Sequence, residues 1–174
     1  MAINRGGERA RNLEGEGGKV NPCFDGLVWV MSGLKQGEFM VEIHIAYQGE
    51  LRCVATHTQS GTVMMTDAPL DNHGKGESFS PTDLVATALG TCMLTIMGMA
   101  AQKMKLDLRG ATVVVNKHMV VVPKRRVGEL AVVITVPLVL DEAQKQKLVD
   151  AAMSCPVHAS LHPDVAMPVE FRWA

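Results

Sequence analysis

Two cysteines are the residues of this chain best suited to do chemistry. Cys92 lies inside an apolar run over residues 84–101, and Cys155 lies in the segment Ser154-Cys155-Pro156-Val157-His158. A thiol becomes a nucleophile when it ionises, and two thiols that meet can pass electrons by forming and breaking a disulfide. The pair therefore indicates redox chemistry that passes through sulfur.

The two cysteines have different local sequences. Cys155 precedes Pro156 and is a natural N-cap for a short helix through residues 158–161, where backbone amides stabilise a thiolate and lower the pKa of the thiol. A cap without any catalytic role is an equally good interpretation of this segment. Cys92, in the middle of an apolar helix, has the sequence context of an inert packing thiol.

A reactive Cys92 requires a nearby positive charge that survives burial, and an arginine keeps its proton there. Arg52 is the candidate, because it lies within an otherwise apolar and threonine-rich strand over residues 51–57. An arginine that faces solvent on the open side of the sheet is the simpler alternative. The neighbouring Cys53 is expected to point to the opposite face as an inert thiol.

The 174 residues are enough for one domain with its own core, and 47% of them are hydrophobic against 20% charged. We expect residues 1–39, rich in glycine and mixed charge, to be an extension that is disordered or not native, and residues 40–174 to be the folded domain.

The periodicity predicts the elements that must position these side chains. A long helix should begin at Ser80-Pro81-Thr82-Asp83, which supplies an N-cap, a proline in the first turn and an acid, and continue to about residue 105. We predict strands over residues 41–45, 51–59, 62–66, 110–122, 128–140 and 167–173, and a second helix over 141–153. The order predicts an α+β fold with antiparallel sheets wrapped around the long central helix.

The charge balance argues against nucleic acid as a partner. Seventeen Lys and Arg against eighteen Asp and Glu give a net charge of -1, which leaves no general basic field. Residues 84–101 are long enough for a membrane span, yet they carry Thr87, Thr91 and Thr95 at intervals of four. We expect no membrane contact, and a helix buried in the domain or packed on a partner subunit.

The number and spacing of the cysteines favour a location in the reducing cytoplasm. The four cysteines are irregularly spaced and include no C-x-x-C pair, unlike the framework of a secreted disulfide-rich domain. No apolar stretch of signal-peptide length follows the N-terminal arginines.

Three segments carry a resemblance to a known family. They are Gly76-Glu77-Ser78-Phe79-Ser80-Pro81-Thr82-Asp83-Leu84, the following Ala86-Thr87-Ala88-Leu89-Gly90-Thr91-Cys92-Met93, and the segment around Cys155. Together they strongly resemble the OsmC/Ohr family of thiol-dependent hydroperoxide reductases, from about residue 40 to the C-terminus. The motif Ser-Pro-Thr-Asp-Leu resembles the OsmC-like branch of the family more closely than the Ohr branch.

The resemblance implies a tightly intertwined homodimer with the central helices packed across the subunit boundary and two active sites there. By position, Cys92 resembles the peroxidatic cysteine, Cys155 the resolving cysteine and Arg52 the arginine that stabilises the thiolate. Ohr members carry a glutamate after the helix proline, whereas this chain has Thr82. The further residues that could support the arginine or the thiolate are Glu77, Asp83 and His57.

The expected function is that of a peroxiredoxin-like enzyme of stress defence, which reduces an organic hydroperoxide through Cys92 and Cys155 and is restored by a dithiol reductant. No cofactor is expected. Met93, Met97 and Met99 on the central helix are candidates to line an apolar substrate pocket, although core packing is the commoner role of such methionines.

Two other functions remain open from the sequence. The spacing Cys155-x2-His158-x3-His162, with Cys53-x3-His57, offers metal-ligand types, but neither spacing is a usual zinc pattern, so we expect no metal. The Thr82 departure is also compatible with a small-molecule binding or redox-sensing protein of the same fold without fast turnover.

Overall fold

Residues 40–174 are described by a computed structural model, and the predicted extension over residues 1–39 lies outside them. Residues 41–174 form one compact unit. Its elements in chain order are β1 (Ile43–Gly49), β2 (Arg52–His57), β3 (Val63–Asp67), a 3-10 turn (Leu70–Asn72), α1 (Pro81–Lys103), β4 (Thr112–Val120), β5 (Arg126–Val136), α2 (Glu142–Met153), α3 (Pro156–Ser160) and β6 (Val169–Trp173).

The strands form two three-stranded sheets. The first sheet has the order β1-β2-β3 with antiparallel neighbours, and the second has the order β4-β5-β6. The predicted α+β fold with a long helix is confirmed, but β6 runs parallel to β5, so the second sheet is mixed rather than antiparallel. The crossover through α2 and α3 returns the chain in the direction of β5, which a tight hairpin cannot do.

The start of α1 follows the predicted capping chemistry. The Ser80 hydroxyl accepts the amide of Asp83, and the Asp83 carboxylate accepts the amide of Ser80, which is a complete capping box with Pro81 in the first turn. These contacts satisfy amides that have no partner within the helix. The N-terminus of α1 is therefore fixed by local sequence.

The core lies between α1, α2 and the second sheet. Its largest fully buried side chains come from all three parts: Leu89, Met93 and Met97 from α1, Leu130 and Ile134 from β5, and Leu148 from α2. Gly90 lets α1 approach β4 closely, since a Cβ at this position would lie 3.0 Å from Val115 Cγ2. This packing fixes α1, and hence Cys92, relative to the second sheet.

The first sheet exposes apolar side chains in the single chain. Ile45 and Tyr47 are 63% and 66% exposed, and Val63 and Met65 are exposed on the opposite face. The sequence predicted a half-buried strand here, and β1 instead is largely exposed. Apolar surface on both faces of a sheet is unusual for a chain that acts alone.

α1 is the one helix within residues 40–174 that is long and apolar enough to cross a membrane, judged by length and composition alone. The core helix of a soluble protein meets the same criteria, and α1 packs against α2, α3 and the second sheet.

Candidate active site

The fold brings Cys92 and Cys155 together. Cys92 is half-buried on α1, next to the core, and Cys155 is fully buried at the start of α3, which packs against α1. Neither cysteine is in a disulfide, and the Cys92 thiol lies close enough to that of Cys155 to raise the pKa of Cys155. The two thiols are therefore direct neighbours, 63 positions apart in the sequence (155 minus 92).

Local sequence explains how Cys155 is held. Its thiol accepts the amide of His158 at 3.5 Å, its own amide donates to the carbonyl of Ala152 at 3.2 Å, and Pro156 occupies the first turn of α3. The predicted role of Cys155 as a helix cap is confirmed. Cys155 is thus fixed by backbone contacts of both its thiol and its amide.

The expected lowering of the Cys155 pKa is wrong. Burial raises the pKa of Cys155 above its ordinary value of 9.0, and the hydrogen bond with Cys92 raises it further. The amides of His158 and Val157 act in the opposite direction, as predicted for a helix N-terminus, but desolvation of the charged form outweighs them. Cys155 is therefore a neutral thiol at neutral pH.

Arg52 lies at the start of β2 and is paired with two carboxylates. Its Nη2 donates to Asp67 Oδ2 at 3.4 Å and also to Glu77, and the hydrogen bond with Glu77 is the largest cause of a raised Arg52 pKa. Glu77, named from the sequence as a possible support, thus contacts Arg52. Neither Cys92 nor Cys155 is among the recorded partners of Arg52 within residues 40–174 of its own chain.

Asp67 was not identified from the sequence. It is fully buried at the end of β3, and its Oδ2 accepts the amide of Glu77 at 3.0 Å; this hydrogen bond is the first cause of a lowered Asp67 pKa, ahead of the opposing effect of burial. The missed signal was the strand register, since a hairpin centred between Gln59 and Ser60 places Asp67 directly opposite Arg52.

A half-buried cation that was also missed, Lys117, lies at the start of α1. Lys117 on β4 donates to Asp83 Oδ1 at 2.5 Å and to Thr82 Oγ1 at 2.8 Å. Burial raises the pKa of Asp83, but hydrogen bonds from Lys117 and Ser80 outweigh it, and the pKa is lowered overall. Thr82, at the position where Ohr members carry a glutamate, and the next residue, Asp83, therefore contact Lys117, and their recorded partners do not include Arg52.

The remaining predicted residues lie in separate surroundings. Met93 and Met97 are fully buried in the core and Met99 is largely exposed, so the three do not share one surface. His57 ends β2 at the opposite end from Arg52, with Nδ1 2.7 Å from Ser60 Oγ. Their predicted roles in substrate binding and support stay predictions, and the burial of Met93 and Met97 favours core packing.

Two open grooves lie near these elements. The larger, of about 1150 Å³, runs between the loop at residues 76–79, one face of α1 and β4, and includes Lys117 and Phe79. The smaller, of about 360 Å³, lies beside Cys53 and Arg125. Cys92 and Cys155 line neither of them. Within the described part of the chain, no three His, Cys, Asp or Glu side chains lie close enough together to hold a metal ion.

Comparison with known proteins identifies the family. The model of the family described as OsmC-like protein matches residues 74–170, more than half of the chain. A solved structure from Psychrobacter arcticus 273-4, of a "putative osmotic stress induced and detoxification response protein", is 44% identical, with a TM-score of 0.73 over 79% of this chain and 100% of that chain. The chain belongs to the OsmC-like protein family. No curated protein matches it.

More distant solved structures share the fold of this OsmC-like protein. An organic hydroperoxide resistance protein OsmC from Legionella pneumophila is 13% identical with a TM-score of 0.64, over 77% of this chain and 97% of that chain. The organic hydroperoxide resistance protein OhrB of Bacillus subtilis is 16% identical with a TM-score of 0.59, over 77% of this chain and 98% of that chain. At these identities the likeness concerns the fold.

Proposed function

We propose that this OsmC-like protein is a cytoplasmic, thiol-dependent peroxidase that reduces organic hydroperoxides through Cys92 and Cys155. The observation that carries the proposal is the proximity of two free thiols on packed elements, close enough for Cys92 to raise the pKa of Cys155. Family membership and the names of the relatives, which refer to osmotic stress, detoxification and organic hydroperoxide resistance, support a stress-related redox role.

The reaction follows from the chemistry of two adjacent thiols. The Cys92 thiolate attacks the outer oxygen of the hydroperoxide, the O–O bond breaks, and the alkoxide takes a proton and leaves as an alcohol. Cys92 is then a sulfenic acid. Cys155 attacks its sulfur, water leaves and a disulfide forms, which an external dithiol reduces through a mixed disulfide. In total, one hydroperoxide and one dithiol become one alcohol, one water and one disulfide.

Half-burial of Cys92 and full burial of Cys155 suit these two roles. Cys92 must meet a substrate from outside the domain, whereas Cys155 needs to reach only Cys92. The neutral state of Cys155 also leaves the first step to Cys92, because a thiolate is the attacking species.

A homodimer completes the proposed site. The exposed apolar faces of the first sheet and the groove along α1 are surfaces that a second copy would cover. Arg52 lies on that exposed sheet and is paired with residues of its own chain other than the cysteines. We therefore assign its cationic support to the Cys92 thiolate of the other copy in the dimer.

The proposal is tested by turnover with a dithiol reductant and alkyl hydroperoxides of increasing size. We expect Cys92→Ser to reduce the rate to that of free cysteine, because it removes the nucleophile. Cys155→Ser should still consume about one equivalent of hydroperoxide per chain and then slow strongly, since the sulfenic acid forms but is not resolved internally. Quenched samples analysed by mass spectrometry distinguish the sulfenic acid from the disulfide.

Cys53→Ser is the matched control, because Cys53 is a free and half-buried thiol on the first sheet. It should retain the parent's turnover. A parent protein no faster than free cysteine would contradict the peroxidase proposal, and would favour a small-molecule binding or redox-sensing protein of the same fold.

A further inference from the structure

Arg52 has two carboxylate partners that differ sharply in their surroundings. Asp67 is fully buried, whereas the side chain of Glu77 is 64% exposed. An exposed ion pair is screened by water and contributes little to fixing a side chain. A buried carboxylate has lost its hydration, so it gains more from keeping a cationic partner in place.

The backbone also fixes the two partners differently. Arg52 and Asp67 are paired residues of the β2–β3 ladder, so their side chains leave the same face of the sheet at neighbouring positions. Glu77 comes from the loop between β3 and α1, next to Gly76, whose φ is +64°. Its position depends on Asp67, because the Glu77 amide donates to the Asp67 carboxylate.

The pair retains hydrogen-bonding capacity. Among residues 40–174, Arg52 Nε and Asp67 Oδ1 are the buried side-chain nitrogen and oxygen atoms without a partner, and both recorded hydrogen bonds of Arg52 come from Nη2. Unpaired polar atoms in a buried site are costly and are uncommon in a purely structural pair. The guanidinium is thus held at one nitrogen and can still donate elsewhere.

We propose that Asp67, rather than the exposed Glu77, is the positioning residue for Arg52, and that its buried charge holds the guanidinium where it can face the Cys92 thiolate. This inference rests on the proposed function for the role of Arg52. Asp67 acts only through Arg52 and through the loop that carries Glu77. It makes no contact with the reacting atoms.

The test is a double-mutant cycle with Asp67→Asn and Arg52→Met. Asparagine has the shape of aspartate and can still accept the Glu77 amide, so mainly the charge is lost. We expect Asp67→Asn to lower kcat/KM for an alkyl hydroperoxide about tenfold, and to slow alkylation of Cys92 by iodoacetamide to a similar degree, because one opposite charge shifts a thiolate equilibrium by about that factor. Glu77→Gln should have a smaller effect.

The decisive comparison is made in the Arg52→Met background. In that background Asp67→Asn should have no further effect on hydroperoxide reduction or on alkylation of Cys92, because the guanidinium that Asp67 positions is already absent. Asp71→Asn, which removes an exposed carboxylate paired with Arg125, is the matched control and should leave both rates unchanged in the Arg52-containing protein. Denaturation midpoints of each variant separate loss of folding from loss of positioning.

Equal losses from Asp67→Asn in both backgrounds, or no loss in the Arg52-containing protein, would overturn the inference. A parent that reduces no hydroperoxide would refute the proposed function, and the alkylation rates would then still decide the role of Asp67. If Asp67→Asn does not fold, Arg52→Lys replaces it. Lysine keeps the positive charge but lacks the planar set of N–H donors of a guanidinium. If Arg52→Lys reduced hydroperoxide and reacted with iodoacetamide at the rates of the parent protein, the inference would also be overturned.

Discussion

At the scale of single residues, the environment of Cys155 decides its chemistry more than its sequence motif does. The Cys-Pro step and the short helix correctly predicted a cap, but a cap alone did not reveal the sign of the pKa shift. That sign depends on desolvation of the thiol in the core and on its interaction with Cys92, which lies 63 positions away in the sequence. Tertiary burial is the component that local sequence reasoning lacks.

The raised pKa of Cys155 predicts a pH-dependent second step. Its thiolate attacks the Cys92 sulfenic acid, so disulfide formation should accelerate as pH rises from about 6 to 9, below the raised pKa. The same shift means that the folded protein holds this proton more tightly than the unfolded chain. The associated stability is complete below pH 9.0 and is lost as pH rises through the folded value.

Quenched-flow samples taken after one equivalent of hydroperoxide measure this step. The loss of dimedone-reactive sulfenic acid gives the rate of disulfide formation in the parent protein. Cys155→Ser, which retains the sulfenic acid, is the reference for its chemical lifetime. A rate in the parent that is constant from about pH 6 to 9 would contradict a raised pKa.

Arg52 and its partners show where residue-scale prediction could have gone further. Arg52 is the cation selected from the sequence, whereas Asp67 lies one residue beyond the predicted strand over residues 62–66. Counting the hairpin register would have paired the two. Lys117 offered no comparable signal, because its contact with Thr82 and Asp83 joins β4 to α1 through tertiary packing.

At the scale of elements, periodicity located the strands and helices to within a few residues. The valine-rich segments over residues 110–122 and 128–140 marked the hairpin β4–β5, and the cap residue Ser80 marked the start of α1. The parallel placement of β6 was not predictable from its five residues. Strand direction depends on where the chain re-enters the sheet after α3, which periodicity does not encode.

The contact between β4 and the start of α1 yields a prediction for stability. Lys117 is 16% exposed and its partner Asp83 is partly exposed, so the pair lies between a surface ion pair and a buried one. Lys117→Met should lower the free energy of unfolding by roughly 1–2 kcal/mol, because it leaves the Asp83 carboxylate without its cation. Urea denaturation followed by circular dichroism measures the change.

Lys145→Met is the matched control for this substitution. Lys145 is half-buried, but its partner Glu142, one turn away on α2, is almost fully exposed, so this ion pair contributes a few tenths of a kcal/mol. Equal destabilisation by the two substitutions would show that the Lys117 pair does not anchor α1.

At the scale of the whole molecule, the exposed first sheet and the position of Arg52 predict sites shared between two copies. Cys92→Ser and Arg52→Met should each be nearly inactive as separate proteins. After mixing and subunit exchange, half of the dimers pair one of each, and such a dimer contains one intact site. We expect a return of about a quarter of the parental turnover, since a twofold dimer has two equivalent sites.

Light scattering before and after exchange confirms the dimeric mass in this experiment. A mixture of Cys92→Ser with Cys155→Ser is the control for exchange itself, because these residues come from one chain and should not complement each other. If Cys92→Ser and Arg52→Met fail to restore activity while the exchange is shown by mass spectrometry, Arg52 does not act on the other copy.

The neighbouring positions of Cys92 and Cys155 have a consequence outside the reaction itself. A disulfide between them would join parts of the chain 63 residues apart. A cross-link of that span lowers the conformational entropy of the unfolded chain and so raises its free energy by about 4 kcal/mol. Reaction with a hydroperoxide would therefore leave the protein cross-linked, and harder to unfold until the disulfide is reduced. Each reduction of the disulfide by a dithiol would remove this added stability again.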